Sequence, residues 1–317
     1  MARVPLVFHD QYDLNFGRHV FPTQKYRLIR ELLLASGEAS EADFHQPSMA
    51  SDEEIGLVHS EDWVRKLRKG TISYQEILQL EVPYSRRMVD AFWAAAGGSI
   101  LTARLAANHG AAYNVGGGFH HAFPGHGEGF CAIHDVAVAI RVLQREGCIR
   151  KAMVVDVDVH HGNGTAAIFA ADDTVFTLSI HQMHNYPAVK PPSNLDIHLE
   201  DGAGDTEYLE KLRHGLVPML ELVRPDMLFY VAGADPFLED QLGGLNLTKD
   251  GLQARDQLVI GRSLEMGIPV AISLAGGYAT KVEDTVEIHA NTWRAAESAV
   301  GSSGWVRKRA AQSGAPR

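Results

Sequence analysis

The stretch Ala152 to Gly164 reads AMVVDVDVHHGNG, and it decides the fold. A β-branched run, Ala152 to Val157, passes directly into a polar, glycine-bearing turn that starts at Asp158. Apolar runs of this length and composition read as strands, and near-continuous ones as strands buried on both faces. The unit recurs. Ala111 to Val115 precedes Gly116-Gly117-Gly118, and Met227 to Ala232 precedes Gly233-Ala234-Asp235. Pro269 to Leu274 precedes Ala275-Gly276-Gly277-Tyr278, and Val175 to Ile180 is a fifth run. Amphipathic helices alternate with them over His134 to Glu146, Thr206 to Val223, Lys249 to Glu265 and Val282 to Ala299. Such alternation predicts an α/β fold, a single domain of three α/β/α layers around a central, mainly parallel sheet.

Working outward, Phe21 to Leu34 carries apolar residues at helical spacing after Pro22, and Glu38 to Asp52 reads as a polar surface loop. A long alanine-rich helix is expected from Ser85 to Asn108. No repeat or linker divides the chain, so one unit is expected over residues 1–300. Residues 301–317, with Arg307, Lys308, Arg309 and Arg317, read as a basic, frayed tail.

Composition excludes several classes. With 317 residues, 45% of them hydrophobic and 21% charged, the chain is too apolar for disorder. A net charge of -10 argues against direct nucleic-acid binding. Two cysteines, Cys131 and Cys148, cannot build a disulfide framework or a cysteine-rich zinc site, and they fit a reducing compartment. The opening MARVPLVFHDQYD lacks the pattern of a signal peptide. The apolar segment Ala91 to Ala103 falls short of the ~20 residues a membrane helix needs. A cytoplasmic protein is the expectation.

In a parallel sheet, ligands bind outside the carboxyl ends of the strands. The unusual residues fall there. Along Asp156-Val157-Asp158-Val159-His160, side chains two apart share a face, so Asp158 and His160 can hold one ion with Asp156 in line behind them. Asp235, from another strand end, would be the third ligand. Three protein ligands with an open position is a catalytic metal pattern. Two carboxylates and an imidazole suit Zn2+ and leave Fe2+ or Mn2+ open. His120 and His121 offer an acid and a base, and Tyr278 offers a donor to a developing oxyanion.

Taken together, GGGFHHAFPGHGEGFC, VVDVDVHHGNGT, FTLSIHQ, VAGADPFLEDQLGGLNLT and SLAGGYA resemble the successive motifs of the histone deacetylase family, with its arginase/deacetylase fold. The resemblance runs from about Phe8 to Val300. The HVFPTQKYRL and LEDQLGGLNLT segments are most similar to the class IV branch and its bacterial relatives. The resemblance implies one catalytic Zn2+ on Asp158, His160 and Asp235. It makes His121 the proton shuttle and His120 its electrostatic partner, with Asp156 paired to His120. Asn163 stands where class I members carry Asp. Tyr278 would donate to the oxyanion, and Gly129, Phe130 and Tyr186 would wall a channel for the substrate lysine. Gly276 and Gly277 would adjoin the substrate, and Arg27 would lie at the channel foot. A structural K+ would sit on Asp156, Asp158, His160, Ser179 and Ile180.

The implied reaction is hydrolysis of an acetyl or longer fatty-acyl group from lysine side chains of a protein or peptide, in a chain that can oligomerise. The alternatives are an acetylpolyamine amidohydrolase and an inactive acyl-lysine binding module. An arginase-type pair of manganese ions would need further carboxylates where residues 161–164 read His-Gly-Asn-Gly.

Overall fold

In the computed structural model, which describes residues 4–14, 16–17, 19–303 and 305, eight parallel strands form one sheet in the order β2-β1-β3-β8-β7-β4-β5-β6. The strands are β1 (Leu6–Val7), β2 (Phe44–His45), β3 (Ala111–Asn114), β4 (Ala152–Asp156), β5 (Val175–Gln182), β6 (Leu195–Leu199), β7 (Met227–Val231) and β8 (Val270–Ser273). The helices are α1 (Lys25–Ala35), α2 (Asp52–Ile55), α3 (Glu61–Lys69), α4 (Tyr74–Leu80), α5 (Arg86–His109), α6 (Asp135–Arg145), α7 (Asn163–Phe169), α8 (Asp205–Val223), α9 (Lys249–Glu265) and α10 (Val282–Ser303).

All residues of β3, β4, β7 and β8 are buried, as a sheet covered on both faces requires. Consecutive residues of β3 show the two layers. The Tyr113 hydroxyl donates to the His289 carbonyl in α10 at 2.9 Å, whereas the Asn114 amide donates to Ser99 in α5 at 3.1 Å. On the α5 side that helix packs on α6; on the other, α10 packs on α9 and α1. Helix starts follow the sequence: the Ser85 side chain accepts from the Met88 N–H, and Thr248 from Gly251.

The five long runs are strands and the expected helices are helices, each within a few residues of its expected ends. The sheet is wholly parallel. The segment expected to be a loop, Glu38 to Asp52, differs: it contains β2, which pairs with β1 at the sheet edge. β1 and β2 have two residues each, too short for a periodic pattern, and only pairing reveals them. α10 continues to Ser303, past the boundary expected at residue 300. The basic positions Arg307, Lys308, Arg309 and Arg317 lie outside the described residues. Among the described residues, no helix is long and apolar enough to cross a membrane.

Candidate metal centre and active site

The strand order sets β3, β8, β7 and β4 side by side, so the four polar turns singled out in the sequence meet at one sheet edge. Asp158, His160 and Asp235 converge there, buried, with one ligand atom from each within 4.8 Å of the others. His160 Nδ1 lies 3.0 Å from Asp158 Oδ1 and 3.3 Å from Asp235 Oδ2. Backbone donors hold the remaining carboxylate oxygens: Gly276 N–H to Asp158 Oδ2 at 2.8 Å, and Val159 N–H to Asp235 Oδ1 at 2.9 Å. Gly276 is required, because a Cβ there would stand 2.0 Å from Asp235 Oδ2.

Asp235 Oδ2 is buried without a hydrogen-bond partner, its approach to His160 being poorly aligned. A buried carboxylate oxygen left unpaired is costly. Burial, and then the Asp158 charge, push the Asp235 carboxyl up to about 7. Burial alone would depress the His160 imidazole, but Asp158 and Asp235 outweigh it and raise it to about 10. Two carboxylates and an imidazole competing for one proton in a dry cluster fit a divalent cation.

Beside this cluster, His120 and His121 lie with ring centroids 4.0 Å apart. Asp135, at the start of α6, places them by accepting the N–H groups of Gly118 and Phe119, at 3.0 and 2.8 Å. Gly118 turns the chain at φ +82. Asp156 stands behind His120 rather than behind His160: its Oδ2 accepts from His120 Nδ1 at 2.7 Å. Burial opposes a charge on His120, but Asp156 and Asp158 prevail and hold it up to about 9. His121 Nδ1 donates to Asn163 Oδ1 at 2.7 Å. Burial, then the neighbouring His120 and His160, keep His121 well below its ordinary value and hence neutral.

The Asn163 amide in turn donates to Glu128 Oε1, which also accepts from the Tyr186 hydroxyl at 3.0 Å. Gly129, Phe130, Tyr186, Tyr278, His121 and His160 line a cavity of about 200 Å3, with Glu81 and Leu242 also on its wall. Burial, then Asp158 and Asp235, raise the Tyr278 hydroxyl well above its usual range, so it stays a donor. Gly277 follows Gly276 at φ +141.

Arg27 is a correction. It is half exposed on the outer face of α1, paired with Glu31 at 2.6 Å. The basic side chain that points inward is Lys25, wholly buried, whose Nζ donates to the Ala275 carbonyl at 2.7 Å. Two helical residues are ~200° apart around the axis, so only one of the pair can face in. Burial lowers the Lys25 ammonium to about 8, although Asp235 and Asp158 pull the other way. Sequence reading also passed over Glu128 and Asp135. Asp135 had a local signal, as an acidic residue opening a helix; Glu128 had none.

The chain matches the model of the histone deacetylase domain over residues 19–296. It is 42% identical over 293 residues to an uncharacterized protein of Picosynechococcus, covering 92% of this chain and 98% of that one. It is 29% identical to histone deacetylase 2 of Arabidopsis thaliana, over 90% of this chain and 79% of that protein. It is 31% identical to the acetoin utilization protein AcuC of Staphylococcus aureus, over 77% and 67% of the two chains. The crystal structure of the HDA15 HD domain superposes with a TM-score of 0.77 at 21% identity, covering 95% of this chain and 90% of that one. By family match, relatives and fold together, this chain belongs to the histone deacetylase family.

Proposed function

We propose that this protein is a metal-dependent hydrolase that removes acetyl groups from lysine side chains of proteins or peptides. One observation carries the reading: a neutral His121, the Tyr278 side chain and His160, the outermost member of the Asp158–His160–Asp235 cluster, line a single cavity. Asp158, His160 and Asp235 would hold the ion, with Zn2+ suited to that set. The chemistry such a cation would supply is polarisation of the amide carbonyl and a more acidic water. His121 takes the proton of the attacking water through Nε2, because its Nδ1 proton is committed to Asn163. It then returns that proton to the departing amine. Asp156 supports positive charge on His120 beside the reacting carbon, and Tyr278 donates to the developing oxyanion. Asp156, Asp158, His160, Ser179 and Ile180 would hold the structural K+.

Behind the histidine pair lies a second cavity of about 20 Å3, lined by Gly118, Cys131 and Gly276 among others. A space of that size takes roughly one water-sized group, which favours acetyl over a long fatty-acyl chain. Glu81 on the cavity wall favours a cationic amine, and on that ground an acetylpolyamine substrate is the second reading. The HVFPTQKYRL and LEDQLGGLNLT segments support a place nearest the class IV branch.

The test is turnover of a lysine peptide bearing acetyl, octanoyl or myristoyl, and of N-acetylputrescine, with and without chelator. Chelator-sensitive acetate release, fastest from the acetyl peptide, is the expected result. Turnover of N-acetylputrescine alone transfers the assignment to polyamines. No turnover by the metal-loaded protein would leave an acyl-lysine binding module.

A further inference from the structure

A second group of metal-binding side chains lies one strand outward from the catalytic cluster. In the β5–β6 pair, Ser179 stands opposite Asp196 and His181 opposite His198. Residues two apart on a strand share a face, so these four side chains form one patch. His161, in the turn after β4, reaches the same patch, while its neighbour His160 joins the catalytic cluster. Donor atoms of His161, His181 and Asp196 all lie within 4.8 Å of one another. The His161 and His181 rings meet edge to face at 4.6 Å, and His161 Nε2 is 3.2 Å from Asp196 Oδ1. His161 and His181 are wholly buried, and His161 Nδ1 has no hydrogen-bond partner.

The outer contacts leave donor atoms aimed inward. His181 Nδ1 meets the Ser179 hydroxyl at 2.9 Å, which sets its Nε2 toward the patch. Asp196 Oδ2 accepts the Ser193 N–H at 2.9 Å, which leaves Oδ1 toward His161. Bonds of this kind orient metal-binding histidines and carboxylates. At the solvent edge, His198 Nδ1 shares a proton with His181 Nε2 across 3.0 Å.

We propose that His161, His181 and Asp196 form a second divalent transition-metal site, with His198 as the donor at its open edge. Two or three imidazoles and one carboxylate select ions of the zinc, cobalt and copper class over calcium or magnesium. Binding replaces the hydrogen bond between His181 and His198, and the proton of that bond moves to the far nitrogen of its own ring, so that both bind as neutral imidazoles. The bound ion ties the turn after β4 to the end of β5 and the start of β6, and so holds the edge strand of the sheet.

The experiment titrates the chelator-stripped, full-length chain with Co2+, read by calorimetry and visible absorption. The wild type takes up two equivalents. Asp196→Asn takes up one, and Asp235→Asn, which empties the catalytic cluster, also takes up one. Excess Zn2+ raises the melting temperature of Asp235→Asn but not of the double variant that also carries Asp196→Asn. Circular dichroism checks that each variant folds. His198→Ala, at an exposed position, weakens the second equivalent at least about tenfold. A wild type that binds one equivalent, or an Asp196→Asn variant that binds as many as the wild type, overturns the site.

Discussion

Glu128 stands behind His121, separated from it only by the side-chain amide of Asn163. An amide is neutral and, alone, supports an imidazolium less than a carboxylate would. In the proposed mechanism Glu128, one residue further out, supplies the negative charge through that amide. Glu128→Ala should therefore lower kcat about tenfold or more with KM little changed. Adding Asn163→Asp to that variant should restore most of the rate, because the charge then acts on His121 directly. Wild-type turnover by Glu128→Ala would show that the amide suffices.

In the proposed mechanism Tyr278 acts only as charge develops on the substrate oxygen. Tyr278→Phe should retain the metal content of the wild type while kcat falls about 10²- to 10³-fold. Metal analysis beside steady-state kinetics checks this, and full activity in the variant would remove Tyr278 from the mechanism.

Lys25 and Arg27 should behave in opposite ways. Lys25→Met leaves the buried Ala275 carbonyl without its donor, a loss of about 1–3 kcal/mol in unfolding free energy. Arg27→Ala removes only a surface pair with Glu31 and should change stability by less than about 1 kcal/mol, with turnover unaffected. Urea unfolding of both variants decides, and equal effects would contradict the buried role of Lys25.

Acid should destabilise the fold partly through His59. Its Nδ1–H donates to the Phe123 carbonyl at 3.0 Å, and its Nε2 accepts the His134 N–H at 2.9 Å, so the folded ring has no place for a second proton. Burial pushes it down to about 4 from an ordinary 6.5. Between those values the unfolded chain binds a proton that the folded chain refuses, so stability falls as pH drops from 6.5 toward 4. At full extent this costs about 3 kcal/mol. His59→Gln should show a shallower loss between pH 8 and 4.5 than the wild type, and an identical slope would acquit His59.

The alternation of Asp156, Asp158 and His160 was legible because strand periodicity is local: Asp158 and His160 do share a cluster. Which histidine Asp156 serves was not legible from spacing alone, since His120 arrives from β3, which the sequence places far away. β6 was passed over for a related reason. Only Leu199 of its five residues is buried, and Asp196 and His198 interrupt the apolar ones, so Leu195 to Leu199 lacks the apolar signature of the interior strands.

By itself, the sequence determined the strand–helix alternation, the polar turns at the strand ends and the residue types gathered there. Those properties depend on side-chain periodicity and turn chemistry within a few residues. The tertiary structure alone decided that Lys25 rather than Arg27 turns inward, that Glu128 backs Asn163, and that His161, His181 and Asp196 form a second cluster. Each of these depends on the order and register of strands distant in sequence. That order is settled by burying the sheet between two helical layers, a condition that no local stretch of residues carries.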